Sequence, residues 1–272
     1  MATVQRRAAV LGSPIDHSKS PALHRAAYAA AGLDWRYDAI DVGSGAALEA
    51  FLAALGPRWV GLSLTMPLKE PALALVDVLD PVARATGAVN TIVLPGSPTQ
   101  PPGAAGHNTD VVGIVDALAE AGVTAAGTVA VLGAGGTARS AVAAAAQLGA
   151  QEVQVYARRP AAAAEVAAIA DVLGSAGHRR AWAQAGDCVG ADLVISTVPA
   201  GVADAVAGAV AGPPAGTLLD VVYHPWPTPL AAAWGAAVVP GIAMLLWQAV
   251  AQVRLMAGIE PDVAAMKAAV GL

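Results

Sequence analysis

Three groups of residues in this chain carry chemistry in their types and spacing. The first is the run Val129-Ala-Val-Leu-Gly-Ala-Gly-Gly-Thr-Ala-Arg139, where Gly133, Gly135 and Ala138 fall on the G-x-G-x-x-G/A spacing. Gly133 permits a tight turn, Gly135 lets a pyrophosphate approach the backbone, and Ala138 lets the following helix lie close to the strand. With Ala134, Gly136 and Thr137 they form a cradle whose helix aims its N-terminal N–H groups at an anion. The second group is Ala157-Arg158-Arg159, at the end of the next apolar run. NAD sites usually carry an Asp or Glu there to accept from the ribose 2′-OH. Two guanidinium forks in its place match a phosphate, so the expected cofactor is NADP.

The third group is a lysine and a carboxylate. Lys69 is one of three lysines against twelve arginines. Lys can release a proton near neutral pH when its surroundings lower its pKa, and Arg effectively cannot, so Lys69 is a candidate acid or cation. Asp110 closes the polar stretch His107-Asn-Thr-Asp110 ahead of a helix. A carboxylate there suits a helix cap, and capping is compatible with a catalytic role. Ser18 and Ser20, in Ser13-Pro-Ile-Asp-His-Ser-Lys-Ser-Pro21, are hydroxyl donors or cap and turn residues.

The elements that must position these groups are readable from apolar patterning. Ala8 to Gly12, Asp34 to Val42 and Trp59 to Thr65 read as strands, with helices over Ala22 to Ala31 and Ala46 to Leu55. Pro67 cannot continue a central strand, so the chain turns there and leaves Thr65 and Lys69 at the strand's mouth. A helix is expected over Ala72 to Ala85, a short strand over Ile92 to Leu94, and a surface hairpin or loop from Pro95 to Gly106. Val111 to Ala121 is a helix by its apolar spacing. Val153 to Tyr156, Asp192 to Pro199 and Thr217 to Tyr223 continue the strand series begun at Val129, and alanine-rich crossovers between them imply a parallel sheet. Gly241 to Arg254 is a strongly apolar helix on which Gln248 stands as the lone polar amide that must find a partner if buried.

Composition bounds the rest. The chain has 272 residues and a formal net charge of −5, which gives no basic field for nucleic acid. Its apolar stretches are interrupted within helix length, and Met1 to Arg7 leads into a strand and not a signal peptide, so no membrane span is expected and the cytoplasm is the default location. Cys188 is the single cysteine and reads as a small apolar side chain; the five histidines form no short ligand spacing, so no metal is expected.

Taken in order, Gly12 to Pro21, Ser63-Leu-Thr-Met-Pro-Leu-Lys69, Gly87-Ala-Val-Asn-Thr91, Asn108-Thr-Asp110, the Gly133 turn and Gln248 resemble the shikimate dehydrogenase family, in its NADP-dependent, actinobacterial-like form. The resemblance runs nearly end to end. It implies NADPH-dependent reversible reduction of 3-dehydroshikimate to shikimate on the route to chorismate and the aromatic amino acids. It implies that Ser18 and Ser20 hold the substrate carboxylate, and that Thr65, Lys69, Asn90, Asp110, Tyr223 and Gln248 surround the ring hydroxyls and carbonyl, with Lys69 and Asp110 catalytic. It also implies NADP contacts from Gly133 to Thr137, from Ala157 to Arg159, and near Val221 and Gly241. Two positions depart from the family's pattern: Ala157-Arg-Arg-Pro160, with alanines at 161 to 164, stands where Asn-Arg-Thr and a further Arg are frequent, and Ser63 stands where Asn is commoner.

The expected architecture is α/β with two domains: a discontinuous substrate domain, 1–109 with 241–272, and a Rossmann-type NADP domain, 110–240, separated by a cleft that opens and closes. A quinate/shikimate or aminoshikimate dehydrogenase is the nearest rival, and a non-catalytic nucleotide sensor the rival from another class. A homodimer is left open as the assembly.

Overall fold

The computed structural model describes residues 5–212, 214–235 and 237–272; residues 1–4, and with them most of the stretch expected to lead into the first strand, lie outside that range. The chain divides into two compact units, one of Met1–Thr109 with Leu245–Leu272 and one of Asp110–Met244. Each unit is built on its own six-stranded sheet.

In the first unit the elements run β1 (Arg6–Gly12), α1 (Ser20–Ala30), β2 (Trp35–Asp41), α2 (Gly45–Ala53), β3 (Trp59–Leu64), β4 (Val78–Leu79), α3 (Pro81–Thr86), β5 (Thr91–Val93) and β6 (Ala105–His107). The sheet order is β2-β1-β3-β5-β6-β4, with β5 antiparallel to both β3 and β6 and the β1 pairings parallel. The period of two along β1 sorts its residues onto two cores. Ala8 and Val10 pack with Leu23, Ala27 and Tyr28 of α1, whereas Ala9 and Leu11 pack with Leu48 and Leu62 on the other face. Both faces of the strand are covered, which is why its sequence is an apolar run without polar alternation.

One expectation fails in this unit. The helix expected over Ala72 to Ala85 is replaced by a 3-10 turn at Pro71–Ala74, then β4, then the short α3. Proline has no N–H to donate inside a helix, so Pro81 starts a new one, and Asp80 caps it by accepting from the Ala83 N–H. Val78 and Leu79 then pair with Ala105 and Gly106, which makes the end of the expected loop a strand.

In the second unit the order is α4 (Asp110–Glu120), β7 (Thr128–Leu132), α5 (Gly136–Gln147), β8 (Glu152–Ala157), α6 (Pro160–Val172), β9 (Ala176–Ala181), β10 (Leu193–Ser196), α7 (Asp204–Ala207), β11 (Thr217–Asp220), α8 (Pro229–Trp234) and β12 (Val238–Pro240). Every pairing is parallel in the order β12-β11-β10-β7-β8-β9. The chain order reverses between β7 and β10, and open α/β sheets bind ligands at the carboxyl ends of strands flanking such a reversal. After β12 the chain enters α9 (Gly241–Ala257), which carries it back into the first unit, and α10 (Val263–Val270) ends it. Cys188 is buried among apolar side chains of the second unit, and burial pushes its thiol up to about 12, the behaviour of an inert packing residue.

His24 is the one histidine sealed in the first unit's core. Its ring stacks on Tyr37 with centroids 3.9 Å apart, and its nitrogens meet Tyr28 Oη at 3.3 Å and Gln252 Oε1 at 3.1 Å. Desolvation by burial lowers its pKa to about 4, partly opposed by the Gln252 hydrogen bond. The native chain therefore holds fewer protons than the unfolded chain between about pH 4 and the ordinary histidine value, and stability falls as pH falls through that window. The expected slope is about 1.4 kcal/mol per pH unit, so urea unfolding at about pH 7 and about pH 4.5 should show His24→Gln losing about 2 to 3 kcal/mol less than the parent chain on acidification. Equal losses in both proteins would mean that His24 is charged in the fold.

Candidate functional site

In the first unit the sequence-predicted residues lie where β1, β3 and β5 meet α9. The loop after β1 is stitched to the loop after β3: Ser13 N–H donates to Met66 O at 3.0 Å, and Thr65 N–H donates to Leu11 O at 2.8 Å. This brings the loop that carries Ser18 and Ser20 alongside the one that carries Thr65 and Lys69. Ser18 Oγ accepts from the Ser20 N–H at 3.3 Å, a turn bond; the N-cap of α1 is Lys19 and no side chain caps the helix, so neither serine is its cap. Lys69 is half-buried, and its carbonyl accepts from Val89 N–H at 2.8 Å, one residue before Asn90. The lysine is thereby tied at its backbone to the segment that carries Asn90 into β5.

Asn90 is fully buried and every polar side-chain atom is held. Its Oδ1 accepts from Thr91 Oγ1 at 2.8 Å and from Thr109 N–H at 2.7 Å, and its Nδ2 donates to Thr109 Oγ1 and to Gln248 Oε1, both at 2.9 Å. Gln248 thus finds the partner its place on an apolar helix requires. It is not alone on α9, however. Gln252, one turn further on and 1% exposed, takes a hydrogen bond from Ser63 Oγ at 2.8 Å and pairs with His24, and its Nε2 donates to Thr91 Oγ1 at 3.1 Å. The spacing of four between Gln248 and Gln252 puts both amides on one helix face and is the sequence signal for this second residue. Ser63, which departs from the commoner Asn, accepts from Tyr37 Oη at 2.6 Å, so the tyrosine hydroxyl fills the polar place beside the small side chain. Because Gln248 Oε1 is engaged by Asn90, and lies 3.4 Å from Gln252 Nε2, its own NH₂ is the end turned away from the network.

In the second unit the Gly133 turn sits at the reversal of strand order. Gly133 has φ +115°, where an L side chain is strained, and a Cβ added there would also lie 2.5 Å from Thr197 Oγ1. Gly135 is different: it is the N-cap of α5, no side chain caps the helix, and a Cβ added to it would meet nothing within 4 Å. Open space over an uncapped helix N-terminus fits the pyrophosphate of a dinucleotide. Ala134, Gly136 and Thr137 complete the turn into α5. Ala157 ends β8, and Arg158 and Arg159 are exposed at the start of α6 with no carboxylate in ion-pair range among the described residues. This end of the sheet has the room and the charge for a phosphorylated ribose.

Val221 and Gly241 are brought into direct contact: a Cβ on Gly241 would overlap the Val221 carbonyl. Between them, Asp220 anchors the loop that carries Tyr223, accepting from Thr228 Oγ1 at 2.7 Å and from Val222 N–H at 3.2 Å, and burial raises its carboxyl above the ordinary range. Asp110 is the first residue of α4, one place later than a cap would stand, and is 1% exposed; Ser140 Oγ of α5 donates to its Oδ2 at 3.5 Å. No group of three His, Cys, Asp or Glu side chains able to hold a metal occurs among the described residues, and no described helix is long and apolar enough to cross a membrane.

A doubly wound parallel sheet with an open glycine turn, in one chain with a second α/β unit bearing a lysine and buried amides, defines a two-domain α/β dehydrogenase. Comparisons make the class particular. Residues 10–92 match the shikimate dehydrogenase substrate binding domain, and residues 241–270 match the shikimate 5′-dehydrogenase C-terminal domain. The shikimate dehydrogenase (NADP(+)) of Moorella thermoacetica is 39% identical over 95% of this chain and 90% of that one. The crystal structure of a shikimate 5-dehydrogenase from Mycobacterium fortuitum superposes with a TM-score of 0.85 at 42% identity, covering 99% of both chains. A quinate dehydrogenase from Corynebacterium glutamicum in complex with NAD gives 0.84 at 30% identity, over 98% of this chain and 99% of that one. The chain belongs to the shikimate dehydrogenase family.

The two glycines of the turn should separate by experiment. Gly133→Ala is expected to lower stability by about 1 to 3 kcal/mol, from positive-φ strain and the crowding at Thr197, whereas Gly135→Ala should leave the melting temperature in place. Calorimetric melting of both variants checks this; a Gly135 variant as unstable as the Gly133 variant would contradict the open cradle.

Proposed function

We propose that the chain catalyses the reversible NADPH-dependent reduction of 3-dehydroshikimate to shikimate, with Lys69 and Asp110 as its catalytic pair. Family membership and the NADP(+) named for its relatives support the reaction. The observation that carries the cofactor is the end of β8, where two arginines without carboxylate partners stand in place of an acid. That same feature disfavours the quinate and NAD pairing of the Corynebacterium relative for this chain.

NADPH, when bound, supplies a hydride to the ring ketone. The chain's own residues must then bind the acid, orient the ring and manage the charge that grows on the ketone oxygen. Ser18 and Ser20 offer hydroxyl hydrogens to the substrate carboxylate. Thr65, Tyr223 and Gln248 offer polar groups to the ring oxygens, while Asn90, fully buried and engaged at both ends, acts through Gln248, whose Oε1 it holds so that the Gln248 NH₂ is the donor the buried network leaves outward. The Lys69 ammonium would give a proton or a positive charge to the oxygen, and Asp110 would accept from a ring hydroxyl. Val221 and Gly241 present backbone toward the nicotinamide. In this reading the location is the cytoplasm and the assembly is left open, a homodimer included.

Lys69→Ala should lower kcat about a hundredfold or more, with a smaller change in KM, in a steady-state assay of shikimate oxidation. Near-normal turnover would remove Lys69 from the chemistry. Replacing Arg158 and Arg159 together with Ala should weaken NADPH about tenfold or more while leaving NADH little changed; equal losses for the two cofactors would remove the phosphate from the argument.

A further inference from the structure

We infer that Arg179, on the strand beside the cofactor turn, is a further specificity-determining residue that engages the 2′-phosphate of the dinucleotide. The inference rests on the reading of the second unit as an NADP site. β9 is the edge strand and runs parallel to β8, with Val155 opposite Arg179 and Ala157 opposite Ala181. Alternation along β9 places Gly177 and Arg179 on one face. That face is the one α6 covers, because a Cβ on Gly177 would overlap the Ala167 carbonyl of α6. Arg179 therefore lies over the N-terminal half of α6, two residues short of its strand's carboxyl end.

The first turn of α6 is Pro160 followed by alanines, so no long side chain of the helix competes for that space. A hollow of about 560 Å³ opens there, with Arg158, Pro160, Ala163, Arg179 and Trp182 in its lining. Arg158 and Arg179 thus border the same space, with Arg159 next in sequence. None of the three has a carboxylate within ion-pair range among the described residues. Arg180 lines the hollow too but differs in having Glu152 4.0 Å from its guanidinium. Guanidiniums gathered round a hollow without counter-charge, in a chain of net charge −5, concentrate positive potential at one place. Their planar forks suit a phosphate, and the ring of Trp182 and the methyl of Ala163 supply an apolar wall for a nucleotide base. The ligand class this describes is a 2′-phosphorylated adenosine.

Calorimetric titration of the full chain with NADP⁺, NAD⁺, 2′-AMP and 5′-AMP tests it. In Arg179→Gln the Kd for NADP⁺ and for 2′-AMP should rise about tenfold, which is about 1.4 kcal/mol, while the values for NAD⁺ and 5′-AMP stay within about twofold of the parent. Arg179→Lys keeps the charge without the fork and should recover part of the loss. An unchanged NADP⁺ affinity in Arg179→Gln, with a tenfold loss in Arg158→Gln, would overturn the inference and leave the NADP reading intact. A parent chain that binds NAD⁺ as tightly as NADP⁺ would overturn both.

Discussion

The carboxamide of Gln252 sits in the interior of the first unit, and it joins three elements that no apolar contact could hold in so fixed a register. Through Ser63 it reaches β3, through Thr91 it reaches β5, and through His24 it reaches α1. Burying an amide without partners costs on the order of 1 to 3 kcal/mol, so a network of this kind tolerates only the arrangement in which every member is satisfied. The result is a floor of fixed donors and acceptors on which Asn90 and Gln248 are seated. An amide so held cannot rotate to present either end to a ligand. The orientation of the Asn90 and Gln248 amides is therefore set by the core beneath them.

The second unit solves a different problem with backbone. Its sheet places the ends of β7, β8, β10 and β11 along one edge, and the features gathered there are mostly main chain: an open glycine, an uncapped helix and the touching backbones of Val221 and Gly241. Side-chain charge stands at the end of β8 and on its neighbour β9, where Arg158, Arg159 and Arg179 are exposed. Division of labour follows from the ligands. A dinucleotide is long and repeats across many enzymes, so a backbone cradle suffices, whereas a small polyhydroxylated acid has to be recognised atom by atom.

Much of this is legible in the amino-acid sequence. The strands β1, β3 and β7 are apolar runs ended by Gly, Pro or charge, and they lie where the pattern puts them, because strands buried on both faces leave a run with little polar alternation to confuse the reading. The region from Ala72 to Ala85 misleads because its alanines and leucines fit a helix; Pro81, inside that window, is the local sign of the break, while the pairing of β4 with β6 is a distant interaction that a local window does not contain. β9 escapes a local reading for the same reason: Ala-Gly-His-Arg-Arg-Ala has no alternation, and only pairing with β8 and cover by α6 make it a strand. Among the site residues, the lysine and the glycines stand out by type. Gln252 does not, since an amide gains meaning only when the partners that bury it are known.

The claim on which the account turns is that the polar floor of the first unit and the arginine-bearing edge of the second serve one reaction, hydride exchange between shikimate and NADP. Steady-state rates for shikimate and quinate, each with NADP⁺ and NAD⁺, test it most directly. The account predicts that kcat/KM for shikimate with NADP⁺ exceeds each of the other three combinations by at least about tenfold, or about 1.4 kcal/mol of transition-state stabilisation. Turnover that favours quinate with NAD⁺, or no turnover with shikimate and NADP⁺, would contradict it.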